Sequence, residues 1–143
     1  MISTELAARL RDAGLVWRPA DGDRFRIDAA DLSAEVFTVS TMTIEAHDYP
    51  TGTILGFNGT TEWALDSVAI EDALWLPRED QLRDLLRSTF RGLTRTTPGA
   101  GEQGGAERYD VEVELLGEAQ TFTAADPAEA YGTALLALVE LSS

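Results

Sequence analysis

His47 is the sole histidine of the chain, with Glu45 two positions before it and Asp48 beside it. An imidazole that titrates near neutrality, set among carboxylates, is raw material for general acid–base chemistry or part of a metal site. A single histidine cannot supply the His₂ or His₃ sets of zinc enzymes. The absence of cysteine rules out thiolate catalysis, disulfides and Cys-based metal sites. Carboxylate pairs such as Glu62 with Asp66, or Glu71 with Asp72, are frequent enough to arise without a catalytic role, and no spacing here fixes a cleft between them. Gly99, Gly101 and Gly104 form a G-x-G-x-x-G pattern. They follow Thr97-Pro98 and lead toward a strand, whereas a phosphate cradle leads into a helix. Glu102 also stands where an anion would have to sit, so the segment reads as a loop. No serine lies in a G-x-S-x-G elbow, and a lysine-free chain has no P-loop. The expectation is a non-enzymatic protein with no cofactor and no metal. The alternative is a small hydrolase or ligand-binding protein using His47 with nearby carboxylates.

Residues suited to a partner are more numerous. Arg83, Arg87 and Arg91 recur every fourth position of an expected helix over 77–90, a basic stripe for an acidic partner or for a second copy's acidic block. Trp63, between Glu62 and Ala64 after an Asn-Gly turn, is a plausible surface anchor, whereas Trp75 between Leu74 and Leu76 reads as core.

Charge sharpens this reading. Across 143 residues, 25 acids oppose 11 basic residues, all arginine, for a net charge of −14. Residues 28–75 hold nine acids and no Arg, and 109–143 hold seven acids and none. So acidic a chain does not suit direct nucleic-acid binding, which rests on cations displacing counterions from phosphates. The acidic stretch 28–75, with Glu45, Asp48, Glu62, Asp66, Glu71 and Asp72, suits a basic protein partner drawn in electrostatically. The longest apolar run, Ala134 to Val139, is far too short to cross a bilayer. No signal-peptide pattern opens the chain, so no membrane and a cytoplasmic address are expected.

The elements that must position these residues follow from periodicity. Ser3 to Ala13 reads as a helix capped by Ser3 and ended by Gly14. Leu15–Arg18 and Arg24–Ile27 flank Pro19-Ala20-Asp21-Gly22 as a hairpin, and residues 35–47 and 53–57 suit strands around a Pro50-Thr51-Gly52 turn. Thr61 to Leu76 fits strand or helix, with Ser67 able to cap a short helix. After the helix at 77–90, strands are expected at Leu93–Thr96, Tyr109–Leu116 and Thr121–Ala124, with a Gly-rich loop over 97–106. Asp126-Pro127-Ala128-Glu129 starts a helix that runs nearly to the end. The fold class is α+β: about three helices packed on mostly antiparallel strands in a single domain. Leu6, Leu10 and Arg11 echo Leu82, Leu86 and Arg87, a weak internal repeat that would make 1–75 and 76–143 two similar helix–strand–strand halves.

Two stretches, Phe57 to Val68 (FNGTTEWALDSV) and Leu74 to Leu82 (LWLPREDQL), resemble small acidic proteins of high-GC bacterial genomes that are sometimes labelled pilus-assembly proteins. The resemblance covers nearly the whole chain and carries over no site residues. It implies an accessory or localisation role; the ATPases of pilus assembly have a P-loop, which is absent here. The partner expected overall is a basic protein, with self-association of the Arg stripe against an acidic block as the other possibility.

Overall fold

Short-range caps set the first helix. The Ser3 hydroxyl accepts from the Leu6 amide at 3.2 Å, and Gly14, at φ 119°, closes the last turn through its amide to the Arg11 carbonyl. Between them α1 spans Thr4–Ala13 and buries Leu6, Ala7 and Leu10. The computed structural model describes residues 1–27, 35–39, 44–49, 52–57, 67–69, 72–97 and 107–142, with backbone alone at 44–49, 52–57 and 67–69. The chain divides into two compact units, Met1–Leu15 with Arg78–Ser143, and Val16–Pro77. Helix α1 and the Val16–Ile27 stretch that follows it thus fall in different units.

In the Val16–Pro77 unit, β1 (Arg24–Ile27) lies between β2 (Phe37–Thr38) and β6 (Ala73–Leu76), antiparallel to both. A second sheet orders β3 (Ile44–Tyr49), β4 (Gly52–Phe57) and β5 (Ser67–Ala69), again antiparallel. The expected hairpin of Leu15–Arg18 with Arg24–Ile27 does not form. Residues 15–20 take no regular structure, because β1 finds both partners elsewhere. The ambiguous 61–76 stretch is strand at 67–69 and 73–76, so Ser67 lies in β5 and is not a helix cap. Phe25, Ile27, Phe37, Val39, Ala73, Leu74 and Leu76 are buried.

In the other unit, α2 covers only Glu79–Leu86, shorter than the expected 77–90. It stops because Arg87 takes φ 54° and ψ −133°, a conformation that no helix can propagate. A single 3-10 turn, Arg87–Thr89, then leads into β7 (Phe90–Thr96). Strands β7, β8 (Arg108–Leu115) and β9 (Glu118–Ala124) form an antiparallel sheet in that order. Leu116 and Gly117, both at positive φ (53° and 79°), make the two-residue β8–β9 turn of primed type.

Helix α3 (Pro127–Ser142) starts as its sequence dictates, with Asp126 Oδ1 accepting from the Ala128 amide at 2.8 Å. It is apolar almost all round because α1, α2, β8 and β9 all pack on it. Gly132 sits where a side chain would collide with α1; an added Cβ would lie 2.7 Å from Leu6 Cδ2. The Glu129 carboxylate, instead of closing a capping box on its own helix, accepts from the Ser3 amide and ties α1 to α3. The fold is α+β, with three helices and antiparallel strand pairing throughout the described residues.

Candidate functional site

Glu45, His47 and Asp48 all lie on β3, facing Gly56, Ile54 and Thr53 in the register with β4. Glu45 and His47 occupy alternate positions of the strand, and Asp48 has the opposite parity. Glu62, Trp63, Asp66 and Glu71 lie outside the described residues, as does the 98–106 segment with its three spaced glycines. Asp72, immediately before β6, is exposed. Among the described residues no group of three or more His, Asp or Glu gathers in metal-binding geometry, and no helix is long and apolar enough to cross a membrane.

The arginine stripe is taken apart by the end of α2. Arg83 is exposed on α2, Arg87 sits at the helix end, and Arg91 is already in β7 at a bulge between Phe90 and Gly92. The three therefore do not share one helix face. Arg91 reaches across the sheet to Glu114, with Nη2 to Oε2 at 3.0 Å, and donates to the Ser88 carbonyl. Arg95 pairs with Glu107, Arg108 with Asp110 at 3.7 Å, and Arg78 with Asp80 at 3.2 Å. The hydrogen bond from Arg95 holds the Glu107 carboxyl below the ordinary carboxylate range, and the same bond raises the Arg95 guanidinium. Arg83 stands near Tyr131, whose hydroxyl burial pushes above its ordinary value, against the pull of that positive charge.

β8 carries the clearest surface pattern. Asp110, Glu112 and Glu114 alternate with the buried Val111, Val113 and Leu115, so the three carboxylates line the sheet face opposite α3. Thr123 on β9 donates its hydroxyl to Asp110 at 2.5 Å. The strict period of two over Asp110–Leu115 is legible in the sequence and marks these carboxylates as an outward row.

The Val16–Pro77 unit holds a different cluster, centred on a residue that motif reading passes over. Asp23 is only 2% exposed, and its Oδ2 accepts from both Trp17 Nε1 and the Ala20 amide at 3.0 Å. Its own amide donates to the Ala20 carbonyl, and its carbonyl accepts from Val39, which locks the turn onto the strand end beyond β2. Trp17 stacks on Trp75 with ring centres 6.4 Å apart and planes at 11°, and leans on Phe25 at 5.4 Å. Trp75 thus belongs to the packed aromatic cluster, as its neighbours Leu74 and Leu76 imply. The Asp21-Gly22-Asp23 segment works as a turn, with Gly22 at φ 90°.

Such contacts build and rigidify the units, while the excess of acids over arginines runs through both. Arg24, Arg26 and Arg18 are the only basic residues of Val16–Pro77, against eleven acids, a net −8; the other unit has eight Arg against fourteen acids, a net −6. No family model, curated protein or solved structure matches the chain.

Proposed function

We propose that the chain is a non-enzymatic, cytoplasmic interaction domain whose Val16–Pro77 unit presents an acidic surface to a basic protein partner. The observation that supports this most is the uneven distribution of arginine along the chain. In the larger unit the arginines of β7 and β8 are matched internally, Arg91 with Glu114, Arg95 with Glu107 and Arg108 with Asp110. The stretch 28–75 has no arginine of its own to play that part for its nine carboxylates. A net-negative stretch of this kind accelerates and orients a cationic partner and loses its reach beyond about 8 Å at physiological ionic strength. The internal engagement of Arg91 and Arg95 also speaks against a partner surface built from the arginine stripe. The resemblance carried by Phe57–Val68 and Leu74–Leu82 gives this reading its setting, an accessory or localisation role.

The test compares the wild-type chain with the fourfold variant Glu62→Gln, Asp66→Asn, Glu71→Gln, Asp72→Asn in a pull-down eluted by rising salt. A basic protein held by the wild type and lost by the folded variant supports the reading. Equal retention on both sinks it.

A further inference from the structure

The two outer strands of the β7–β8–β9 sheet are defended very differently. β7 carries a bulge at Arg91 and the two arginines Arg91 and Arg95, the features that natural edge strands use to refuse a further strand. β9 has no bulge and a single charge, Glu118, at its first position. From Ala119 to Ala124 it reads Ala-Gln-Thr-Phe-Thr-Ala, with no charge, proline, glycine or bulge. Its residues are exposed or half-buried, and among the described residues no strand pairs with its outer side. Thr and Phe favour extended backbone, and an uncharged run of this length is the composition that pairs strand to strand.

We infer that the open edge of β9 is a self-association surface, on which β9 of a second copy adds antiparallel about a two-fold axis through Thr121. The strand's own sequence favours this occupant. In that register Thr121 faces Thr121 of the other copy, Gln120 faces Phe122, Ala119 faces Thr123, and Glu118 faces Ala124. The one charged residue of the strand then lies opposite alanine, so no like charges meet directly across the pair. Such a contact is isologous and closes at two copies. Backbone hydrogen bonds and Phe122 hold it, so salt does not dissolve it; by screening the −14 of each copy, added salt strengthens it. The pairing does not depend on the basic partner.

The chain has no cysteine, so a single introduced one reports without background. Directly opposed residues of antiparallel strands have Cα atoms about 4.5–5.5 Å apart, within disulfide range. Thr121→Cys is oxidised beside Thr94→Cys, an equally exposed position on β7, while sedimentation follows the wild type from about 10 µM to about 1 mM. Expected first is a concentration-dependent wild-type dimer. Thr121→Cys should give at least about tenfold more disulfide-linked dimer than Thr94→Cys, because pairing raises the local thiol concentration. Thr121→Lys, which sets two ammonium groups face to face, should be a folded monomer. A wild type that stays monomeric throughout, or equal cross-linking at the two positions, overturns the inference.

Discussion

Asp23 does what no motif announces. One buried carboxylate oxygen takes both the Trp17 indole N–H and the Ala20 amide. Asp23→Ala leaves both donors without that acceptor and is expected to cost about 2 kcal/mol, read as a lower urea midpoint at unchanged slope. Asp23→Asn, which keeps an acceptor oxygen, is expected to lose less. Leu116 is the opposite case: it is 86% exposed and held at φ 53°, a conformation that Asn tolerates and leucine does not. Leu116→Asn is therefore expected to stabilise the domain by about 1 kcal/mol, visible as a raised midpoint. Tyr131 sets an alkaline limit. Burial raises its folded pKa above the ordinary value of 10.0, so the folded state keeps the proton longer. The stability linked to it is complete below pH 10 and falls as pH rises from there through the folded value. In an alkaline unfolding titration, Tyr131→Phe is expected to remove that part of the fall. Of these three residues only Leu116 is suspect from sequence, since a Leu-Gly pair between alternating strands is an odd hairpin turn. The partners of Asp23 and Tyr131 depend on packing that residue types do not reveal.

Among the helices and strands, caps and alternation were the readable signals. Ser3 and Gly14 bound α1, Asp126-Pro127 starts α3, and the Asp110–Leu115 alternation becomes β8. The sequence is less informative where backbone geometry overrides side-chain periodicity. Leu82, Leu85, Leu86 and Phe90 keep a helical spacing to the end, yet Arg87 turns the chain out of the helix and makes Phe90 the first residue of β7. The expected hairpin at 15–27 failed for a related reason: local alternation says that a stretch can be a strand, not which strand it will pair with. Gly132 shows the same limit in a helix. Its position inside α3 costs helix propensity and makes sense only because Leu6 and Ile2 press against it. Gly132→Val is expected to destabilise by about 2 kcal/mol through this overpacking. Hydrogen exchange should quicken in α1 ahead of the β7–β8–β9 sheet.

For the molecule as a whole, charge is the property that sequence discloses most fully and that bears most on function. Its sum and its blocks are read directly, but the intramolecular matching of one unit's arginines becomes apparent only when β7 and β8 bring Arg91 to Glu114 and Arg95 to Glu107. Of the candidate site, Glu45, His47 and Asp48 share β3, which pairs with β4 and runs to Tyr49, two residues past the strand expected over 35–47. In the proposed reading the acidic stretch 28–75, with nine acids and no arginine, is the part that meets another molecule. That reading is tested most sharply by the salt-stepped pull-down with wild type and the fourfold neutral variant side by side, the variant's fold checked by its unfolding midpoint. A basic protein is expected to stay on the wild type at low salt, to leave as salt rises, and to be absent from the variant. A partner held equally by both proteins, or one that ignores salt, would contradict an acidic docking surface.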